Sequence, residues 1–314
     1  MKKTLCVLFV FGLCLAAGCQ DKTHFTVAFE QAKPLRYKFV TERHITFDWG
    51  KQAEGGAMKT DTSTESAEIV MAYEPVAVSP AGITTLKATC ESVKASSTKG
   101  GKDALESIAG KSFTLQVNSA GKIKDYNDLK RFMQEAGEKA VRSRAKDDRI
   151  KEPDLTDDFV ATQWFLWDAY SSVEKPAGVD VGNSWKSHLS IPNPMVIRIA
   201  RGVTYTFDRI EASDKSSLAV IKSVYSIPDS DKIDWPSQYT GKMRISGKFG
   251  TLRNYKLVEL TGSGEEFYNI TKQRSEKYQQ QYKAKFSADF MMPLEGITPE
   301  VTLDQKISME LLEN

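Results

Sequence analysis

The sequence predicts an α+β fold that is mostly antiparallel β, in which long strands form a curved sheet or half-barrel with a central two-helix insertion. Apolar and polar residues alternate in many segments of residues 34–126 and 173–314, which is the pattern of half-buried strands. Between these blocks, residues 127–172 show the apolar spacing of helices. Runs of strands on both sides of one helical block are typical of an α+β protein. We therefore expect residues 34–314 to form one composite domain.

The composition indicates a globular body without a basic face. The 314 residues include 43 Lys and Arg against 41 Asp and Glu, which gives a formal net charge of +2. A protein that neutralises the phosphates of a nucleic acid carries a clear excess of positive charge on one face. We therefore expect no nucleic acid partner.

The first residues have the features of a secretory signal. Lys2 and Lys3 supply positive charge, residues 5–15 are almost entirely apolar, and residues 16–18 are small. An apolar run of this length is too short for a permanent membrane-spanning helix and is typical of a signal peptide. Residues 1–18 are therefore predicted to be removed.

The junction between Gly18 and Cys19 resembles the lipobox of bacterial lipoproteins, although Ala16 stands where that motif usually has Leu. The resemblance implies that Cys19 becomes the first residue and is acylated, with palmitate among the chains that anchor it to a membrane. Gln20 after the cysteine favours the outer membrane, because Asp21 lies one place too late to act as the inner-membrane retention signal of Gram-negative lipoproteins. The alternative is an ordinary signal peptide that leaves Cys19 free.

The N-terminal β block is predicted to follow a tether at residues 19–33. A long strand at residues 34–49 has apolar side chains of one parity and polar side chains of the other, so one face is expected to be buried. Arg43 breaks this pattern, and we expect a bend or bulge near it. Further strands are predicted at residues 66–73, 82–93, 112–117 and 123–126.

Two helices are predicted in the middle of the chain. The first covers residues 127–141, and the second covers residues 157–170. The second helix is apolar around most of its circumference, and its large aromatic residues are Trp164, Phe165, Trp167 and Tyr170. We interpret these four side chains either as core residues or as the lining of an apolar-ligand cavity between the curved sheet and the helix.

The C-terminal β block is predicted to contain many strands. They lie at residues 185–191, 196–199, 203–210, 218–227, 241–249, 253–260, 265–271, 278–290 and 301–311. Gly262 and Gly264 separate two of these strands and are predicted to form a turn. Residues 278–290 carry an aromatic residue at every fourth position, but the strict alternation of the residues between favours a strand.

No arrangement of residues predicts catalysis. The histidines, at positions 24, 44 and 188, lack the close spacing of zinc ligands. The acidic residues of 147–158 lack the Gly and the terminal Glu of a calcium loop, and we interpret them as solvated charge and helix N-terminal acids. Cys90 is expected to be a small buried hydrophobe. We therefore predict no enzyme, no metal site and no cofactor.

Three segments resemble an uncharacterised group of β-rich secreted and lipid-anchored proteins of the bacterial envelope. Residues 105–123 are similar to a hallmark hairpin of that group, Val181–Trp185 to the motif that opens its second half, and Leu35–Phe39 to its first strand. The resemblance covers most of the mature chain. Because these motifs consist of turn and packing residues, it implies a cell-envelope location and carries over no catalytic residue.

The first functional hypothesis is a non-catalytic binding or structural module. It would bind an envelope protein, a glycan or a cell-wall partner through an exposed sheet face or an edge strand. The alternative hypothesis is a carrier or sensor of lipids or other apolar ligands, with its cavity beneath the helix at residues 157–170. Both hypotheses include membrane attachment through Cys19.

Overall fold

In the computed structural model, the chain forms one large curved and open antiparallel sheet with few helices. The structure describes residues 22–30, 33–50, 60–98, 102–144, 150–151, 156–173, 178–189, 201–213, 216–229, 252–290 and 298–312. The predicted signal peptide, Cys19 and the predicted strands at 196–199 and 241–249 lie outside these residues. The mostly antiparallel β architecture is confirmed.

The strands and helices fall close to their predicted positions. The N-terminal elements are β1 (Leu35–Asp48), β2 (Thr60–Val78), β3 (Thr84–Ser97), β4 (Lys102–Asp103), a 3₁₀ helix (Ala104–Ile108), β5 (Ser112–Val117) and β6 (Ile123–Asp125). The middle elements are α1 (Asn127–Arg144), β7 (Ile150–Lys151), α2 (Thr156–Phe165) and α3 (Asp168–Ser171). The C-terminal elements are β8 (Ser184–Ser187), β9 (Gly202–Ser213), β10 (Ser216–Ser226), β11 (Leu252–Asn269), β12 (Arg274–Phe290) and β13 (Glu300–Leu312).

The main sheet has 11 strands in the order β6-β5-β3-β2-β1-β13-β12-β11-β10-β9-β8, and β4 and β7 form a separate two-stranded parallel sheet. Each half of the main sheet is a meander, and the two meanders meet where β1 pairs with β13. The two edge strands are therefore β6 and β8, and the helical segment connects one edge with the other. For this reason α2 and α3 lie over one face of the sheet, which we call the inner face. Within the described ranges, no helix is both long and apolar enough to cross a membrane.

The inner face carries a buried ion-pair cluster where a bend or bulge was expected. β1 pairs in regular register with both neighbours, so that expectation is wrong. The Arg43 guanidinium contacts the carboxylates of Glu65 on β2 and Asp158 on α2, each at 2.5 Å, and all three side chains are almost fully buried. Thr41 and Gln305 donate hydrogen bonds to the Asp158 carboxylate at 3.0 and 2.8 Å. Arg43 therefore keeps the parity of its apolar neighbours because its charge is paired inside.

The predicted tether is part of the folded body over residues 22–30, which we call the clasp. Phe25 and Val27 are buried in the core. Thr23 and Val179 exchange two backbone hydrogen bonds of 2.9 Å, and the Val27 amide donates to the Ser119 carbonyl at 2.7 Å. Because Val179 precedes β8 and Ser119 lies in the β5–β6 turn, the clasp contacts both edges of the open sheet.

The turn predicted at Gly262 and Gly264 is wrong, because both residues lie inside the continuous strand β11. Gly262 stands between Tyr225 of β10 and Tyr282 of β12 in the sheet register. The two tyrosine rings stack with centroids 5.0 Å apart across the glycine. A Cβ at position 262 would lie 2.5 Å from the Tyr282 Cβ, so only glycine lets the rings meet there.

We expect Arg43→Met to lower the free energy of unfolding by about 3–5 kcal/mol near neutral pH, because it leaves two carboxylates buried without a cation. Asp158→Asn should cost less, since Arg43 stays paired with Glu65. Urea unfolding followed by circular dichroism measures both changes.

The matched control is Arg36→Met. Arg36 pairs with Glu91 at 2.7 Å, but both side chains are about one third exposed. Such a pair contributes at most about 1 kcal/mol. Equal losses for the Arg43 and Arg36 variants would show that the buried cluster does not stabilise the fold.

Candidate binding groove and the interior that supports it

The predicted aromatic helix is two helices that lie against the inner face of the sheet. α2 ends at Phe165 and α3 begins at Asp168, so the single helix predicted at residues 157–170 is interrupted at positions 166–167. Phe165, Trp167 and Tyr170 are buried, and Trp164 is partly buried. This segment fills the space inside the curve of the sheet.

Trp164, Trp167 and Tyr170 pack against other rings. The Trp167 ring lies edge-on to Tyr73 at 5.7 Å and to Phe29 at 6.3 Å, measured between centroids. Tyr170 lies 5.1 Å from Tyr268 by the same measure. The two depressions described below are lined by other residues. An apolar ligand would have to displace these rings, and the carrier hypothesis stays a prediction that native mass spectrometry of copurified lipid can check.

Asp168, at the first residue of α3, attaches the helical segment to the C-terminal half of the sheet. Its carboxylate accepts hydrogen bonds from Ser187 at 2.7 Å, from Tyr205 at 2.7 Å and from Arg201 at 2.8 Å, and all four side chains are buried. The Arg201 guanidinium also lies 4.2 Å from the centroid of the Phe165 ring. These contacts explain why the helix restarts at this position.

Asp158 therefore attaches the helical segment to the central strands β1 and β13, and Asp168 attaches it to β8 and β9 in the C-terminal half of the sheet. Asp158 belongs to the acidic group that was interpreted as solvated charge, and for this residue the interpretation is wrong. Burial raises the pKa of the Asp158 carboxyl group, and the Arg43 guanidinium acts in the opposite direction. The other acidic side chains of 147–158 lie outside the described ones. In the part of the chain that the structure describes, no cluster of His, Cys, Asp or Glu is placed to hold a metal ion.

Glu266 is a buried carboxyl group on the inner face of β11. Ser275 donates a hydrogen bond to one of its oxygens at 3.0 Å, and the other oxygen has no hydrogen-bond partner among the described residues. Burial raises the pKa of Glu266 to about 8, with a further contribution from the charge of Asp168. Glu266 is therefore mainly protonated inside the folded protein at neutral pH.

Cys90 is fully buried, as predicted, and its thiol is free. Burial raises the pKa of this thiol to about 12. Because the thiolate is the reactive form, Cys90 is not placed to act as a nucleophile.

A groove of about 720 Å³ lies on the outer face of the sheet. It crosses β1, β13, β12, β11 and β10, and we call it the outer groove. The side chains that line it come from alternate positions of these strands. Val40 and the exposed Val224 are apolar, and the polar and charged ones are Glu42, Lys222, Ser263, Glu265, Gln279, Gln281, Lys306 and Ser308. Its volume lies within the range of about 300–1,000 Å³ that is usual for ligand sites.

The charges in the outer groove are balanced. Glu42 of β1 lies opposite Lys306 of β13 in the register, and Lys222 and Glu265 are paired in the same way between β10 and β11. Carboxamides of β12 lie between these two mixed pairs. The arrangement offers donors, acceptors and both signs of charge, which suits a polar ligand better than an acyl chain.

A smaller depression of about 410 Å³ lies between β5 and the start of α1. Asp128 accepts hydrogen bonds there from the backbone and the hydroxyl of Thr114, at 2.8 and 3.1 Å. Its carboxylate is therefore engaged in holding the helix against the strand.

The sequence analysis placed the candidate cavity at the aromatic helix and did not locate the outer groove. The available signal was the alternation of polar and apolar residues in β1, β12 and β13, because the polar residues of each strand were predicted to face solvent. Which strands lie side by side was not predicted, and the groove depends on β1 being next to β13 and not only next to β2.

Neither a family model nor a curated protein matches the chain. Among solved structures, one described as "Lipid-protein interactions in lipovitellin" has 11% identity and a TM-score of 0.40; the match covers 90% of this chain and 25% of that one. The chain thus spans about a quarter of the lipovitellin chain. A structure described as "Asymmetric conductivity of engineered proteins" has 8% identity, and a mutant of the Rh. blastica porin has 9%, each with a TM-score of 0.18 over 88% of this chain and 100% of the other. Likeness at this level carries no information about ligands.

We compare the free energy of unfolding of Glu266→Gln with that of the native chain. We expect the difference to shift in favour of the variant as pH rises from about 4.5 to 8. The folded state holds the Glu266 proton up to about pH 8, whereas the unfolded chain releases it near 4.5, so this group's contribution to stability is lost as pH rises through that window. The relative gain of the variant is about 1.4 kcal/mol for each pH unit. Urea unfolding at several pH values measures it.

The control is Glu265→Gln, which makes the same substitution at the neighbouring residue on the outer face. It tests whether the overall charge of the protein causes the effect. If both variants respond to pH in the same way, burial of Glu266 is not responsible.

Proposed function

We propose that this protein is a lipid-anchored, non-catalytic binding protein of the bacterial cell envelope, and that its outer groove binds a polar cell-wall ligand. The lipid anchor rests on the resemblance of the Gly18–Cys19 junction to a lipobox. The resemblance of three segments to an uncharacterised envelope family agrees with this location. Gln20 supports the outer membrane as the site of attachment.

The outer groove is the observation that carries the binding role. It draws side chains from five adjacent strands, so an extended ligand can cross the sheet there. The distance between neighbouring strands is about 4.8 Å, and the groove therefore extends over roughly 20 Å. The ligand chemistry that complements alternating charges, hydroxyl groups and carboxamides is a chain bearing hydroxyl, amide, amino and carboxyl groups. The peptide-bearing glycan of the cell wall has all of these.

The interior explains how such a groove keeps its shape. The strands beneath it hydrogen-bond to their neighbours, and their inner side chains pack against the helical segment that Asp158 and Asp168 hold in place. A binding surface on a rigid sheet loses little conformational entropy when a ligand binds. This favours recognition by a preformed surface.

We expect Cys19→Ser to abolish labelling by palmitate and to release the protein from membranes. Several acyl chains together give a stable anchor, because each buried methylene contributes about 0.8 kcal/mol. Metabolic labelling and membrane fractionation of cells measure these effects. Unchanged membrane attachment of the variant would exclude the lipoprotein assignment.

We expect Gln281→Trp to weaken binding to purified peptidoglycan at least about tenfold, because a bulky ring in the groove excludes the ligand; tenfold corresponds to about 1.4 kcal/mol. Cosedimentation of the unacylated Cys19→Ser protein with sacculi measures the affinity. Lys87→Trp is the matched control, since Lys87 is exposed on β3, away from the groove. Failure of the parent protein to sediment, or equal binding of both tryptophan variants, would refute the groove as a cell-wall site.

A further inference from the structure

The predicted anchor and one end of the sheet are close to each other along the chain. Cys19 is three residues before Lys22, so the acylated residue lies within about 11 Å of the first residue of the clasp. The clasp is held by hydrogen bonds and by Phe25, whose ring packs against Phe207 and Tyr268 with centroids 5.5 and 5.1 Å away. The anchor therefore has little freedom to move away from the body.

The sheet register shows which end of the body this is. The clasp donates a backbone hydrogen bond from Ala28 to Gln273, in the β11–β12 turn, at 2.9 Å. The β2–β3 and β5–β6 turns lie at the same end of the sheet, because Leu35 at the start of β1 pairs with Tyr73 of β2, and Thr84 of β3 pairs with Val117 of β5. We call this the anchor end.

The anchor end carries exposed apolar side chains. Val76 and Val78 on the β2–β3 hairpin are 54% and 67% exposed. β2 continues about five residues beyond its pairing with Leu35, so the hairpin projects roughly 16 Å past the start of β1. Projecting apolar residues at the end of the sheet that would carry an acyl anchor fit the boundary between lipid headgroups and acyl chains.

We propose that the anchor end docks on the lipid surface, with the tip of the β2–β3 hairpin in the membrane interface. This inference rests on the proposed acylation of Cys19. In this orientation the strands run away from the membrane surface. Gln281 lies about eight residues along β12 from the β11–β12 turn, so the outer groove is held at least roughly 26 Å from the lipid. That position faces the groove towards a polymer outside the membrane.

The test uses the acylated protein in vesicles of equal parts phosphatidylethanolamine and phosphatidylglycerol. Val78→Cys is labelled with an environment-sensitive nitrobenzoxadiazole probe, and Val258→Cys, 40% exposed near the opposite end of β11, is the matched control. Cys90 is buried and is not expected to take the label. We expect a blue-shifted emission and dithionite reduction slowed at least about tenfold for the probe at position 78 alone.

Palmitate labelling of the same preparation separates the two proposals. Acylated protein whose probes at positions 78 and 258 are reduced at equal rates would overturn the docking and leave the lipoprotein assignment intact. Protein without palmitate would overturn the lipoprotein assignment and the docking that depends on it.

Discussion

The pairing of β1 with β13 is the constraint on which the rest of the structure depends. It joins the two meanders at the centre of the sheet and leaves β6 and β8 at its edges. The chain between those edges must then cross one face, and the apolar helical segment does so. A sheet that wraps around this segment has a buried inner face, while its outer face is left to solvent. The outer groove belongs to that face because β1 and β13 contribute neighbouring polar residues to it.

The interior combines aromatic packing with a few buried charges. Arg43, Glu65 and Asp158 connect α2 to the centre of the sheet, and Asp168 with Arg201 connects α3 to its C-terminal half. Buried ion pairs often contribute little net stability compared with apolar residues, but the loss of one partner is costly. Here they fix the position of the helical segment, because each carboxylate reaches its partners at only one place on the sheet. The helical segment is thereby held in a defined register against both halves.

The clasp would connect a lipid anchor at Cys19 with this core. Residues 22–30 bridge the two edge regions at one end of the open sheet, where a tether was expected. A short covalent distance between the anchor and a buried segment limits how the body can orient on a lipid surface. The same geometry relates the two proposed contacts, because the lipid lies at the end of the strands and the outer groove lies along them.

The sequence by itself determined the strand-rich class, most strand positions, the buried state of Cys90 and the aromatic helical segment, because periodicity reports which side of a local element is apolar. It also contains the resemblance to a lipobox at Cys19. Only the tertiary structure decided that Arg43 is paired inside, that Gly262 lies within a strand beneath stacked rings, and that residues 22–30 are packed. Each of these depends on partners far away in the chain. The outer groove was undetermined for the same reason, since a site built from five strands exists only once their order in the sheet is set.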